Sequence, residues 1–309
     1  MKQKNLPLIS VIMPVYNAGR FLVPAIESIL KQTYQNIECI IVDDQSTDNS
    51  WDVIRAYQKR YPNNIVAVQT DKKTNAAGNG ATNFGLQFAK GAYIARMDAD
   101  DISHPKRIEK QVAYMEEHPE ILLLGTQATV IDANGKETGV KTVPLTHEDI
   151  YKTYGIVHPM IHPSIMVRRK MLPNPDKLYA MKYGVNDDYY TFFRLLNLGK
   201  FANLPEPLIS YRIHGDNASL IHVKEKFRNS VKIRMDAIFH MNYQLSFQAL
   251  ILMMLQFIII GILPERIIVP FYMKVRDIPL IIKSAKHSLY KKIRSLQTPV
   301  PQKRLVVVQ

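Results

Sequence analysis

Two short runs, Leu8 to Val15 and Ile37 to Val42, are apolar at almost every position and lack the alternating polar sites that mark a wet face. A strand of that kind is buried on both sides, which is the situation in a parallel sheet sandwiched between helices. Between the two runs the spacing changes. Phe21, Leu22, Ala25, Ile26, Ile29 and Leu30 recur three and four residues apart, as on one face of a helix. Ser46 or Thr47 is placed to cap a second helix carrying Trp51, Ile54 and Tyr57. Ile65 to Gln69 reads as a third strand, Thr82 to Lys90 as a helix and Tyr93 to Met97 as a fourth strand. The alternation predicts βαβ units and an α/β, doubly wound sheet, whose ligands collect beyond the carboxyl ends of the strands.

Polar residues gather at those ends: Asn17 after the first strand, Asp43-Asp44 after the second, and Asp98-Ala99-Asp100-Asp101 after the fourth. Neighbouring carboxylates repel one another and resist losing water. A divalent cation offsets that repulsion, and Mg²⁺ held by one or two carboxylates completes its shell with phosphate oxygens. The competing reading is an acidic turn or helix cap, because Asp101 to Arg107 leads into a helix. The coincidence of three polar clusters at three strand ends favours a metal–diphosphate site.

After Glu120 the pattern changes. Leu122 to Asp132 and Lys136 to Val143 flank Asn134-Gly135 as the arms of a hairpin. His158 to Val167 and Phe201 to Ile213 are strand-like, with a helix from Asp188 to Leu198 between them. This half is expected to carry the acceptor side of any shared site. The chain has 309 residues, enough for a large core. Its one cysteine, Cys39, lies inside a buried strand, so a reducing compartment and an inert thiol are expected. Met1 to Pro7 shows no apolar stretch after its lysines, and no cleaved leader is expected.

The motifs together resemble the family 2 glycosyltransferases, which have the GT-A fold. Pro14-Val15-Tyr16-Asn17 is similar to that family's opening loop, and Val42-Asp43-Asp44-Gln45-Ser46-Thr47-Asp48 to its base-binding segment. Asn83-Phe84-Gly85, then Ala89 to Ala95, lead to Asp98-Ala99-Asp100-Asp101 in the family's order. Asp187-Asp188, His162-Pro163-Ser164 and Tyr211-Arg212-Ile213-His214 are similar to its later landmarks, so the resemblance runs from about Leu6 to Leu220. It implies a GT-A catalytic domain over residues 1–220; the apolar and basic stretches that follow lead to the expectation of a helical, membrane-associating region over 221–309.

Residue roles follow from the resemblance. Pro14, Val15, Tyr16, Asn17 and Asp44 would bind the nucleotide, with Asp43 structural. Asp98 would lie near ribose and metal, Asp100 would ligate Mn²⁺ or Mg²⁺, and His214, otherwise an ordinary loop histidine, would complete the metal site. Asp188 would be the general base, taking the acceptor hydroxyl's proton as that oxygen attacks the anomeric carbon with inversion. His162 and Asp187 fall on the acceptor side, with Asp187 free to cap the helix and one carboxyl of the Asp187-Asp188 pair raised by its neighbour. Two departures concern the donor: Thr82 stands where the family often has Arg, and Asn75 to Gly80 is small and polar, with Lys72 and Lys73 available as replacement charge. Processive relatives carry a Gln-x-x-Arg-Trp motif; the only tryptophan here is Trp51, so single addition is implied.

The net charge of +13 is concentrated late, with ten Lys or Arg against Glu265 and Asp277 between Pro264 and Gln309. No groove-reading motif accompanies them, so no nucleic acid is expected as partner. Phe247 to Leu263 carries no charge over seventeen residues, short of the roughly twenty that a spanning helix needs. A span would also put the basic tail outside, against the positive-inside tendency. The expectation is a helix in the inner leaflet, with Lys283, Lys286, Lys291, Lys292 and Arg294 at anionic headgroups; a single span and a helix buried in protein are the competing readings. The predicted enzyme takes a nucleotide-sugar donor, expected to be a UDP-sugar, and a glycan or lipid-linked acceptor at the cytoplasmic face of a bacterial inner membrane. A sugar nucleotidyltransferase would show a Gly-rich basic loop after the first strand, and an NAD-linked dehydrogenase a Gly-x-Gly-x-x-Gly; neither follows Leu8 to Val15. A non-catalytic nucleotide-sugar-binding protein is the remaining alternative.

Overall fold

A computed structural model describes residues 6–74, 77–214 and 223–262. In chain order the strands and helices begin with β1 (Ile9–Val15), α1 (Leu22–Leu30), β2 (Ile37–Asp43), α2 (Ser50–Arg60), β3 (Ile65–Gln69), α3 (Asn79–Leu86) and β4 (Tyr93–Arg96). They continue with β5 (Ile102–Ser103), α4 (Arg107–Glu117), β6 (Ile121–Ile131), β7 (Glu137–Lys141), α5 (His147–Tyr154), β8 (Met166–Arg168), α6 (Asp187–Leu195), β9 (Lys200–Arg212), α7 (Val223–His240) and α8 (Phe247–Ile262). The strands form one mixed sheet in the order β3-β2-β1-β4-β8-β6-β9-β5, with β7 paired to β6.

The first four strands are parallel, β2 and β4 flanking β1 with β3 beyond β2, as the unbroken apolar runs predicted. Both faces are covered. Val11 and Met13 point into a core shared with Leu22, Ala25, Ile26 and Ile29 of α1, while Ile12 points the other way, toward Ala81 and Leu86 of α3. That second face is tight: a Cβ on Gly85 would stand 2.6 Å from Val42 Cγ2, so α3 can lie on β2 only with a glycine there. The helix spans Asn79 to Leu86 rather than Thr82 to Lys90. Its start is set by Gly78, at φ +77, which packs against Pro14 and Arg96 where no Cβ would fit comfortably.

The second half completes the sheet around β6, which pairs β9 in parallel and β8 and β7 antiparallel. The expected hairpin turns at Asp132 to Lys136, with Gly135 at φ +86 and the Asp132 carboxylate accepting the Asn134 and Lys136 N–H groups. The expected strand from His158 to Val167 is only partly present. His162–Ser164 is a 3-10 turn and pairing begins at Met166, because Pro163 has no N–H to donate to a ladder.

Past 220, where a boundary was expected, lie undescribed residues up to 222, and then α7, whose Ile233 and Ala237 are fully buried in the core with Phe192, Phe193 and Tyr243. The α8 helix packs Ala249 and Met253 inward but leaves Phe247, Leu250, Ile251, Leu252, Met254, Leu255, Phe257 and Ile258 exposed. No helix among the described residues is long and apolar enough to cross a membrane. Lys283, Lys286, Lys291, Lys292 and Arg294 lie outside the described residues. Cys39 is buried, and burial pushes its thiol pKa up to about 12, leaving it protonated and inert.

Candidate active site

The loops after β1 and β2 are tied together by one side chain. Asn17 sits at φ +50, a conformation that asparagine tolerates better than most residues. Its Oδ1 accepts the Thr47 N–H at 2.7 Å and its Nδ2 donates to Thr47 Oγ1 at 3.1 Å. Asn17 thus braces two loops, and beside it the Tyr16 ring is exposed, with Lys73 Nζ 3.4 Å from its centroid. Pro14 and Val15 belong to β1 itself.

At the end of β2 the two aspartates differ. Asp43 accepts from Gln69 Nε2 at 2.8 Å and from the Ser46 N–H at 3.2 Å, holding the strand end in shape. Asp44 accepts from Thr70 Oγ1 at 3.0 Å, Thr74 Oγ1 at 2.8 Å and the Thr74 N–H at 2.9 Å. Its carboxylate therefore fixes the loop after β3 next to the expected base pocket.

The acidic cluster beyond β4 is framed by arginines. Arg96, the last residue of β4, is almost wholly buried, and its Nε and Nη2 both lie 2.9 Å from Asp98 Oδ1. Its Nη1 donates to Thr82 Oγ1 at 2.8 Å and Asn79 Oδ1 at 3.3 Å. Arg212 donates through its backbone N–H to Asp101 Oδ1 at 2.8 Å and through Nε to the Asp100 carbonyl at 2.7 Å. Arg107, fully buried, donates through Nη2 to the Arg96 carbonyl at 2.7 Å, and its burial lowers its pKa to about 10.

Three cations do not cancel the acidity. Burial and then the charge of Asp98 raise the Asp100 carboxyl above its ordinary range, and burial and then Asp100 raise Asp101 further. His214 Nε2 lies 2.9 Å from Asp100 Oδ2. Among the described residues Asp98, Asp100 and Asp101 are the one group of three acidic, histidine or cysteine side chains whose ligand atoms lie within 4.8 Å of one another. Asp101 Oδ2 is buried without a hydrogen-bond partner. Carboxylate oxygens with one imidazole suit a hard divalent cation, so these residues fit Mn²⁺ or Mg²⁺.

Across the fold, Asp187 and Asp188 open α6. Asp187 does not cap it: its Oδ1 accepts the Lys182 and Tyr183 N–H groups at 2.8 and 2.6 Å, holding the preceding loop. Burial, more than the neighbouring charge, raises its carboxyl. Asp188 accepts the Tyr189 N–H through Oδ1, and its Oδ2 lies 3.5 Å from His158 Nε2 and 3.8 Å from His162 Nδ1. His162 Nε2 in turn meets the Tyr179 hydroxyl at 2.5 Å, and the Arg96 guanidinium stands by the Tyr179 ring, 5.8 Å from its centroid. A connected set of side chains thus runs from Asp98 through Arg96, Tyr179 and His162 to Asp188. Asn83 anchors Tyr179, accepting its N–H at 2.9 Å and donating to its carbonyl at 2.8 Å.

The sequence reading missed Arg96, His158 and Tyr179. For Arg96 a signal existed: a charge at the last position of a buried strand, two residues before Asp98, needs a partner.

The sequence profile of Glycosyl transferase family 2 matches residues 10–174. A relative from Haemophilus influenzae, an uncharacterized glycosyltransferase, is 34% identical over 244 residues, covering 76% of this chain and 74% of that one. The amylovoran biosynthesis glycosyltransferase AmsE of Erwinia amylovora is 32% identical over 212 residues, 68% of this chain and 77% of AmsE. Among solved structures, residues 1–349 of TarS from S. aureus in complex with UDP-GlcNAc superpose with a TM-score of 0.59 at 20% identity, covering 75% of this chain and 67% of that one. With its curled mixed sheet and acidic strand ends, this chain belongs to glycosyltransferase family 2 and has the GT-A fold.

The two histidines beside Asp188 have a measurable effect on stability. Burial lowers the pKa of His158 and, further, of His162, where Arg96 adds to the effect. Imidazoles held neutral in the native state gain protons on unfolding as pH falls through the unfolded value of about 6.5. They therefore lose stability below that pH, by up to about 1.4 kcal/mol per pH unit for each. Buried Asp101, with its raised carboxyl, acts in the opposite direction, so the comparison must be internal. Urea unfolding between pH 7.5 and 5.5 is expected to show a steeper loss for the native protein than for His158→Gln/His162→Asn.

Proposed function

We propose that this chain transfers one sugar, with inversion, from a nucleoside-diphosphate sugar to a hydroxyl of a glycan or lipid-linked acceptor in cell-surface polysaccharide synthesis. UDP is the expected nucleotide. The observation that carries this reading is the connected set from the Asp98–Asp100–His214 cluster to Asp188: an anion-handling end and a proton-accepting end held in register by buried side chains. The base, ribose and diphosphate would lie along the strand ends, against Tyr16, Asp44 and Asp98, with Lys73 supplying positive charge beside Tyr16. Asp98, Asp100 and His214 are the residues that would hold a divalent cation, whose chemistry there is to neutralise charge on the departing diphosphate. Asp188 takes the proton of the acceptor hydroxyl as its oxygen attacks.

The polysaccharide context follows the role of AmsE in amylovoran biosynthesis, and the choice of UDP follows the UDP-GlcNAc complex of TarS. The exposed apolar face of α8 supports contact with the inner leaflet, since patches of that kind mark interaction surfaces. A thermal-shift panel of UDP, GDP and dTDP with MnCl₂ tests the donor class. UDP with Mn²⁺ is expected to raise the melting temperature most, and a selective shift by GDP or dTDP would reassign the donor.

A further inference from the structure

The reading of Asp188 as base leaves open how a carboxylate at the start of a helix is aimed. Hydrogen-bond bookkeeping around the two histidines answers this. Arg96 stands as a cation beside Tyr179, its guanidinium carbon 5.8 Å from the ring centroid, and a hydroxyl proton does not aim at a group that only donates. The single hydroxyl proton is then left for His162 Nε2, 2.5 Å away. A neutral imidazole that accepts at Nε2 carries its proton on Nδ1, the nitrogen facing Asp188 Oδ2. The opposite assignment would leave the buried Tyr179 hydroxyl proton without an acceptor at this contact, and an unmet buried donor is costly.

His158 is fixed in the complementary way. Its Nδ1 accepts the Met160 N–H at 3.2 Å, so its proton sits on Nε2, again facing Asp188 Oδ2. That Nε2 is buried and without a hydrogen-bond partner at the distances present. Two imidazoles in opposite tautomers thus turn their N–H groups toward one carboxylate oxygen, at 3.5 and 3.8 Å. Catalytic hydrogen bonds commonly stand long in free enzymes and tighten in the complex, and closing these would satisfy the orphaned His158 N–H.

We infer that His158, through Nε2–H, and His162, through Nδ1–H, are positioning residues that hold Asp188 Oδ2 and turn Oδ1 toward the acceptor hydroxyl. Arg96 and Tyr179 set the His162 tautomer from behind. The inference rests on Asp188 being the base, yet half of it can be tested without any donor.

Long-range ¹H–¹⁵N spectra of the full chain at pH 7.5 report which ring nitrogen carries each proton, with His158→Gln and His162→Asn assigning the signals. The expected result is His162 protonated on Nδ1 and His158 on Nε2; His162 protonated on Nε2 instead overturns the inference. Substitution supplies the second half. An asparagine amide nitrogen falls where histidine Nδ1 lies, and a glutamine amide nitrogen where Nε2 lies. His162→Asn and His158→Gln keep a donor in place, whereas His162→Gln and His158→Asn move it. Hydrolysis of UDP-N-acetylglucosamine with MnCl₂, followed as UDP release, is expected to show kcat lower by about 10–100-fold in the second pair than in the first, with KM unchanged. Equal losses within each pair would mean that the histidines only pack, and would overturn the inference. Asp188→Asn separates the two levels: an active Asp188→Asn removes the base reading, while an inactive one with no reciprocal pattern removes the positioning alone.

Discussion

Asp188→Asn is expected to lower turnover by about 10²–10⁴-fold, the span of general-base catalysis, and to leave nucleotide affinity where it was. The substitution keeps the size of the side chain and can keep the contact of Oδ1 with the Tyr189 N–H. It removes the capacity to take a proton and, with an amide nitrogen in the place of Oδ2, the acceptor that faces His158 and His162. The nucleotide side of the site is built from other elements: Asn17 bracing the first two loops, and Asp44 fixing the loop after β3. Steady-state UDP release and calorimetric titration with UDP and Mn²⁺ separate the two quantities. Turnover within about tenfold of the native value would move the base away from Asp188.

Arg96→Ala is expected to destabilise the fold by about 3–5 kcal/mol, the range for removing one partner of a buried ion pair. Its guanidinium is almost wholly buried and serves Asp98, Asn79 and Thr82 together. Without it Asp98 loses its counter-charge beside Asp100 and Asp101, whose carboxyls already resist ionisation. Arg96→Lys is expected to recover little, because one ammonium cannot supply a planar fork reaching several acceptors. Urea denaturation followed by circular dichroism reads the loss; a change below about 1 kcal/mol would mean that water replaces the guanidinium adequately. The same residue answers the departure at Thr82: the family's usual arginine is absent from that position, yet a guanidinium reaches the Thr82 hydroxyl from β4.

The parts legible in the sequence were those specified by local pattern. Leu8 to Val15 and Ile37 to Val42 could only be strands buried on both faces, and β1 and β2 lie there. Asn134-Gly135 placed the hairpin because Gly135 adopts the positive φ that the turn requires. The parts that were not legible depend on contacts distant in the chain. The start of α3 follows from Gly78 meeting Pro14 and Arg96. Ile102–Ser103 forms a two-residue strand only because β9 passes beside it, and α7 joins the core through Ile233 and Ala237, which no local spacing announced. At the proposed site, Asp44, Asp98 and Asp100 stood out because they cluster at strand ends, and Asp188 stood out only through the family resemblance. Their partners did not, since Arg96, Tyr179 and His158 acquire meaning only from what stands opposite them.

The Asn17 clasp makes the two rims that would face the nucleotide mechanically a single piece. A substitution at Thr47 is felt beneath Tyr16, and a change in the opening loop is felt beside Asp44. On the proposed reading, base preference is therefore expected to resist retuning one strand end at a time; a redesign has to alter both loops in concert or first cut the asparagine that yokes them.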